Sequence, residues 1–313
     1  VKYRRFRLFV LSLALALLSN FYIGYMTCIY VLLYFFYYFY AYNGDGQNNP
    51  LHEKNHYFRS LLRMGLYSAL AIGMAAIIIL TVSYSLSFGK NSFSEPNYTP
   101  TIRFDPLSFF AKMLPNSYDT VEPEGLPFVY CGILTLLLLP LYFLNRRFRR
   151  GERIASFVFL LVFYVSMSVS SLDMLWHGGQ APNWLNYRYS FFLCFILLVL
   201  ATRAFARISD VAERQILSVA VVLCALIALA GAMQYKNFSL TAMAVSLLLV
   251  AALTMLLLCL RRRGEIARPF FSSLALLVVI AELFYNGTWQ LYCLHADVGS
   301  TTRESYVKYH ETT

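Results

Sequence analysis

The sequence has 313 residues, of which 59% are hydrophobic and only 13% are charged. Soluble domains carry about 25% charged residues, so this composition indicates a membrane protein and excludes an ordinary soluble domain. The formal net charge of +10 comes from basic clusters that lie between apolar runs. That arrangement is typical of membrane topology and argues against nucleic acid as a partner.

The first apolar run extends from Leu8 to Tyr42. As one helix it would reach about 50 Å, which exceeds a hydrocarbon core of roughly 30 Å. It is therefore either one tilted, overlong helix or two helices that meet at "SNFYIG", where Ser19, Asn20 and Gly24 interrupt the run. Further spans are predicted over 61–83, 127–144, 154–171, 189–205, 215–233, 239–260 and 268–286.

The distribution of Lys and Arg decides between these alternatives. With two helices in the first run, the inner segments hold 19 of the 26 basic residues, whereas one helix would leave only 11 inside. The positive-inside rule favours two helices. The predicted fold is an all-α, polytopic transmembrane bundle of about nine helices, with the N-terminus inside and the C-terminus outside.

The predicted domain organisation is a transmembrane core over 1–290 that includes the long outer connection 84–126. Residues 291–313 are predicted to begin an extracytoplasmic segment. The chain starts at Val1 and ends in the polar "STTRESYVKYHETT", so we expect it to be a fragment of a longer protein.

The outer connection contains "FDPLSFFAKML", in which Asp105 is predicted to cap a short helix with Pro106 at its first position. Its apolar residues make that helix amphipathic. It either lies on the outer leaflet or packs on its own protein.

Polar residues gather at the predicted outer face. Asn20 lies at the break in the first run, where it faces a cavity or only a shallow turn. Glu282 lies inside the last apolar run, and an acid there usually faces a cavity or a partner. The alternatives for Glu282 are an ion pair with Arg188 or a protonated carboxyl bonded to a neighbouring helix.

The connection "HGGQAPNWLNYRYSF" (177–191) holds the most polar outer sequence. Arg188 lies outside, where basic residues are sparse, and its planar fork suits phosphate or carboxylate; the alternative is a side chain that snorkels to lipid phosphates. Trp184 and Tyr187 either form part of an aromatic belt or stack on a sugar ring or a polyprenyl chain. His177 near Asp173 offers acid–base capacity.

The six cysteines lack metal-ligand spacing and are interpreted as packing residues, so no metal site is predicted.

Four blocks together resemble the bacterial YfhO family of polytopic membrane proteins: "LSLALALLSNFYIGYM" (11–26), "GLPFVYCGILTLLLLPLYFLN" (125–145), "LDMLWHGGQAPNWLNYRYSF" (172–191) and "AELFYNG" (281–287). The family is similar to the GT-C glycosyltransferases. This resemblance implies an enzyme of the bacterial cytoplasmic membrane that takes a sugar from a polyprenyl-phosphate carrier and decorates a cell-envelope glycopolymer, with no cofactor.

The resemblance also implies roles for residues. Arg188, with His177, would meet the carrier phosphate, and Asn183, Trp184 and Tyr187 would shape the sugar or lipid site. Asn20 and Glu282 would complete the substrate-binding wall. The catalytic aspartate of GT-C enzymes lies in the first outer loop, so the base is expected upstream of Val1, with Asp173 and His177 as weak candidates here.

Two other functions stay open: a transporter or flippase of a lipid-linked or anionic substrate, and a non-catalytic envelope scaffold. Inverted repeats and paired broken helices would favour a transporter. The sequence shows one interrupted apolar segment, near Ser19, and no partner for it.

Overall fold

Helices account for most of the described chain. A computed structural model describes residues 6–42, 54–89, 98–122, 124–180, 182, 184–235, 238–262, 268–299 and 301–312. Within these ranges there is no strand, and one isolated antiparallel bridge pairs Ile102 with Val169. The predicted all-α class is confirmed.

The helices are α1 (Phe6–Ser19), α2 (Phe21–Tyr42), α3 (Lys54–Met74), α4 (Ala76–Gly89), α5 (Pro106–Ala111), α6 (Ile133–Leu144), α7 (Arg150–Ser168), α8 (Ser170–Trp176), α9 (Ser190–Ala206), α10 (Glu213–Ala232), α11 (Leu240–Arg262), α12 (Arg268–Val298) and α13 (Arg303–Thr312). Every predicted span overlaps one or two of them.

Within the described ranges, five helical segments are long and apolar enough to cross a membrane, or six if α3 and α4 form one bent span. The five segments are Phe21–Ala41, Arg150–Ser168, Glu213–Ala232, Leu240–Arg262 and Pro269–Glu311. The helices α1, α6 and α9 are apolar but shorter. The 14 residues of α1 rise about 21 Å, less than a roughly 30 Å hydrocarbon core. The predicted orientation in the membrane stays a prediction.

The break predicted in the first apolar run is confirmed. α1 ends at Ser19 and α2 begins at Phe21. Asn20 Oδ1 accepts hydrogen bonds from the backbone N–H groups of Tyr22 and Ile23, both at 3.1 Å. These bonds satisfy two of the N–H groups that the start of any helix leaves without an intrahelical acceptor. Asn20 therefore caps α2, and its side chain is exposed.

The chain divides into two compact units. The first comprises Val1–Arg103, Arg146–Pro182 and Phe191–Leu193. In it α2 packs on α1 and α7, and α1 packs on α3. Its described core joins α1 to the α3–α4 region through small and aliphatic side chains: Val10, Leu13, Ala14, Leu17, Ala71 and Ala75.

The span predicted over 61–83 is bent: α3 and α4 meet at an angle of 68° on either side of Ala75. The Ala75 N–H is shared between the carbonyls of Ala71 (3.2 Å) and Ile72 (3.1 Å), which marks a locally tightened turn. Gly73, a poor helix former, precedes this turn. Ala75 is fully buried in the core with α1, so packing stabilises the bent form.

Gly24 of α2 lies directly against α1. A Cβ added at Gly24 would lie 2.7 Å from the Leu17 Cα, a backbone atom that cannot rotate away. We expect Gly24→Ala to force α1 and α2 apart and to lower the free energy of unfolding by about 1–3 kcal/mol. Gly65→Ala on α3 is the matched control, because no atom lies within 4 Å of its added Cβ. Thermal unfolding in detergent measures both variants, and equal midpoints would contradict the close approach.

The second unit comprises Phe104–Asn145, Asn183–Ser190 and Cys194–Thr313. In it α10 packs on α5, α6 and α11, and α11 packs on α6 and α12.

Asp105 caps α5 as predicted, since its Oδ1 accepts the N–H groups of Leu107 (2.8 Å) and Ser108 (3.0 Å). The residues that follow, 111–117, are all buried. Of the two alternatives for this amphipathic segment, packing on its own protein is therefore the one observed.

Candidate functional site

The predicted site residues fall in both units. Of them, Asn20, Asp173 and His177 belong to the first unit, and Trp184, Tyr187, Arg188 and Glu282 belong to the second. Asn183 lies outside the described residues.

In the first unit, Asp173 on α8 forms an ion pair with Arg103. The Arg103 Nη1 lies 2.7 Å from Asp173 Oδ2, and the Asp173 side chain is completely buried. An extended segment places the arginine: Arg103 N–H donates to the Ser168 carbonyl at 2.8 Å, and Ser170 N–H donates to the Thr101 carbonyl at 3.0 Å. A carboxylate held by a guanidinium in this way is poorly suited to act as a general base, because the cation stabilises its charged form.

His177, at the end of α8, lies one helical turn beyond Asp173. Its Nδ1 is 2.8 Å from the Asp173 carbonyl oxygen and 3.6 Å from Asp173 Oδ1. Because a carbonyl can only accept, Nδ1 carries the hydrogen and Nε2 becomes the proton-accepting nitrogen. The Tyr22 ring lies 6.0 Å from the imidazole between centroids. The predicted proximity of Asp173 and His177 is confirmed, and Asp173 orients the imidazole.

Arg103 is the residue of this cluster that sequence reasoning missed. Arg103 could have been found by the criterion that singled out Arg188, because it is also a basic residue in a segment predicted to lie outside. The sequence offered nothing to pair it with Asp173, which lies 70 positions away.

In the second unit, Arg188 binds its own loop. Its Nε donates to the Leu185 carbonyl at 3.2 Å, and its Nη2 donates to the Trp184 carbonyl at 3.1 Å. The loop is tightly wound, because Leu185 and Tyr187 have φ of 53° and 56°, which few non-glycine residues adopt. The Arg188 side chain is exposed, so the turn presents the guanidinium in one orientation.

The aromatic residues of this loop point in different directions. Trp184 is 49% exposed, whereas Tyr187 is buried with its ring 6.0 Å from that of Phe104. The Leu185 N–H donates to the Val121 carbonyl at 2.7 Å, which fixes the loop to the connection before α6. Trp184 is therefore an exposed aromatic residue beside Arg188, and Tyr187 supports the loop.

Glu282 on α12 is hydrogen-bonded to the start of α6 and to the connection that precedes it. Its Oε1 accepts the Tyr130 hydroxyl at 2.6 Å and the Ile133 N–H at 2.7 Å. No cation is bonded to it within the described chain, so the ion pair with Arg188 that was one alternative is wrong. The bond to Ile133 matches the other alternative, a carboxyl bonded to a neighbouring helix, because Ile133 begins α6.

Further along α12, residues on the same helical face as Glu282 bind the connection that precedes α6. Asn286 Oδ1 accepts the Asn116 N–H at 2.8 Å, and Asp297 accepts the Tyr118 hydroxyl at 2.8 Å and the Val121 N–H at 3.1 Å. The spacings of four positions from 282 to 286 and of eleven from 286 to 297 place these acceptors on one helical face. The polar residues of "AELFYNG" thus hold a connection in place.

Lys112, just after α5, is a buried cation that sequence reasoning also missed. Its Nζ donates to the Ser117 carbonyl and lies 4.7 Å from the centroid of the Phe128 ring. Burial lowers the pKa of this amine to about 8, although the nearby Asp119 carboxylate acts in the opposite direction. Ser117 Oγ donates to the Leu114 carbonyl at 2.7 Å and so closes the local turn. This turn indicates a structural role for Lys112.

This lowered pKa predicts a pH dependence of stability. Between pH 8 and about pH 10.5 the unfolded chain binds the proton more tightly than the folded chain, so the stability contribution of Lys112 rises with pH across that window. Lys112→Met should remove a penalty on the order of 3 kcal/mol at pH 7 and abolish this rise. Thermal unfolding of both proteins from pH 7 to 10 measures the difference, and parallel curves would contradict the prediction.

Comparison with known proteins identifies the family. A family model described as "Bacterial membrane protein YfhO" matches residues 1–313. Searches of curated proteins and of solved structures find no match. The apolar helices agree with a membrane protein. Since the match extends over the whole chain, the chain belongs to the YfhO family of bacterial membrane proteins.

Proposed function

We propose that this chain is the membrane core of a glycosyltransferase of the cytoplasmic membrane. It would take a sugar from a polyprenyl-phosphate carrier at the outer face and decorate a cell-envelope glycopolymer. Family membership and the resemblance of that family to GT-C enzymes support this proposal. The observation that carries it is the exposed Arg188 guanidinium, held in one orientation by the carbonyls of its own turn.

The chemistry of Arg188 suits a carrier phosphate. A guanidinium is permanently charged and binds phosphate oxygens in its own plane. Two bonds to the Leu185 and Trp184 carbonyls fix that plane before a ligand arrives, which reduces the entropy lost on binding. Its main contribution to the reaction would be to stabilise the charge of the departing phosphate.

Other predicted residues have supporting roles in this proposal. Trp184 is exposed beside Arg188 and would stack on the sugar or on the isoprenoid chain. The acid–base role predicted for His177, with Asp173 as the residue that orients it, stays a prediction. Asn20 and Asn183 stay predicted members of the substrate-binding wall. The Asn20 side chain also caps α2.

The test uses the product of the complete gene, reconstituted in liposomes with a radiolabelled sugar on polyprenyl phosphate. We expect the label to leave the lipid and enter a polymeric acceptor. Label that stays on the lipid at the level of empty liposomes would contradict a transferase. Movement of the labelled lipid between leaflets, followed by its accessibility to a membrane-impermeant reagent, is measured in the same vesicles.

A second candidate, a transporter or flippase of a lipid-linked substrate, is favoured by a specific observation in the first unit. α1 and α2 are interrupted at Asn20, and α3 and α4 are bent by 68° at Ala75. The two interrupted elements pack on each other through the core of α1. Paired broken helices are a feature of transport sites. Leaflet exchange without sugar transfer would support this candidate, and neither activity would support a scaffold.

A further inference from the structure

A buried carboxyl in α12 is not explained by sugar transfer. Glu282 is only 3% exposed and lies in an apolar part of the helix. Its hydrogen-bond donors both reach the same oxygen: the Tyr130 hydroxyl and the Ile133 N–H bind Oε1. Within the described chain, Oε2 is buried and has no hydrogen-bond partner.

This asymmetry distinguishes the two protonation states of a carboxyl group. An ionised carboxylate spreads its charge over both oxygens, and burying either oxygen without a donor is costly. A neutral carboxylic acid has one carbonyl oxygen that accepts two hydrogen bonds and one oxygen that carries the proton. The observed contacts, two donors on Oε1 and no partner on Oε2, are less costly for the neutral acid than for the carboxylate, because the neutral form does not leave a charged oxygen buried without a donor.

Among the described residues, no cation is paired with Glu282 to favour its ionised form. Tyr130 is the titratable group in contact with Glu282, and Cys131 follows it in the chain. α11, which packs on α12, has no ionisable residue before Cys259 and no charged one before Arg261. α6 contributes only Tyr142. A carboxylate here would be a buried charge without a cation, which proteins generally avoid by taking up a proton.

One interaction opposes this conclusion. Glu282 lies at the N-terminus of α6, where Gly132 adopts φ of 84° and the helix dipole favours an anion. That interaction is smaller than the cost of removing a carboxylate from water without a counter-ion. It reduces the free-energy difference between the neutral and the ionised form.

We propose that Glu282 is a proton-binding site inside the membrane core, neutral at pH 7 with its proton on Oε2. A proton-binding site of this kind does not depend on the glycosyltransferase proposal. When the proton leaves, the charge appears beside the first turn of α6. The site therefore links proton occupancy to how tightly α12 holds α6.

Infrared spectroscopy of the purified chain in lipid nanodiscs at pH 7 tests the proposal. The carbonyl band of a carboxylic acid is separate from the bands of a carboxylate. The wild-type spectrum minus that of Glu282→Gln should contain the acid band. A carboxylate band in that difference would overturn the proposal. The glutamine retains an oxygen that can accept both hydrogen bonds at Oε1, so this variant is the least disruptive one.

Asp297→Asn provides a matched control on the same helix. Asp297 accepts the Tyr118 hydroxyl and the Val121 N–H on Oδ2, and Thr120 Oγ1 lies 3.3 Å from Oδ1, so both oxygens have a donor. The difference spectrum for Asp297→Asn should contain a carboxylate band. An acid band for Asp297 together with one for Glu282 would show that the method does not separate the sites as proposed and would overturn the assignment.

A second measurement needs no variant. An apolar carbodiimide modifies protonated carboxyls in apolar surroundings, and mass spectrometry of the peptide that contains Glu282 detects the product. We expect Glu282 to be modified in the folded wild type at pH 7. The extent of modification should fall at least tenfold as the pH is raised from that value and the carboxyl loses its proton. A Glu282 that stays unmodified in the folded protein, but reacts after unfolding in acid, would overturn the proposal.

Discussion

Replacing Arg103 with alanine is expected to lower the free energy of unfolding by about 3–5 kcal/mol, because it leaves the charge of Asp173 buried without its close cation. The Asp173 side chain is completely buried, and Arg103 Nη1 approaches its Oδ2 to 2.7 Å. Loss of the Arg103 side chain should also release the extended segment around Thr101 and Arg103 from the junction of α7 and α8. Unfolding by sodium dodecyl sulfate, followed by tryptophan fluorescence, measures the effect.

A double-mutant cycle separates the charge effect from lost packing. Asp173→Asn removes the buried charge, so Arg103→Ala in that background should cost far less than it does in the wild type. Arg103→Lys retains the charge but loses the planar geometry, and its cost should fall between the two. An Arg103→Ala cost that is the same in both backgrounds would show that the ion pair does not carry the stability.

Local signals in the sequence predicted much of the fold. Asn20 breaks the first apolar run because its short polar side chain accepts the N–H groups of Tyr22 and Ile23. Asp105 followed by Pro106 favours a helix start, because the carboxylate caps the first N–H groups and proline suits the first helical position. Apolar length alone indicated the spanning helices. Each of these features depends on residues within a few positions of one another.

Features that depend on distant contacts could not be predicted. The bend at Ala75 is stabilised by packing on α1, and no nearby proline marks it. Arg103 meets Asp173 70 positions away, and Glu282 meets Tyr130 152 positions away. The sequence could identify Asp173 and Glu282 as unusual acids in an apolar chain. It could not identify which partner each one would have, and the ion pair with Arg188 that it considered for Glu282 is absent from the described chain.

Replacing Arg188 with alanine is expected to reduce sugar transfer by the product of the complete gene by about 10²–10³-fold, the loss found when one donor to a developing negative charge is removed. Arg188 is exposed, so its removal should change stability by no more than about 1 kcal/mol through the two bonds to its own turn. A kinetic defect with nearly normal unfolding is therefore the expected combination. Initial rates at varied carrier-lipid concentrations measure it.

Three variants distinguish a phosphate ligand from a lipid anchor. Arg188→Lys keeps the charge and should retain more transfer than Arg188→Gln, which keeps only hydrogen-bond donors. Arg203→Ala, at the other end of α9 with its guanidinium 5.9 Å from the Tyr142 ring, is the matched control and should transfer normally. If Arg188 only snorkels to lipid phosphates, all three Arg188 variants should transfer at the wild-type rate. That result would remove Arg188 from the site, and with it the observation on which the glycosyltransferase proposal depends.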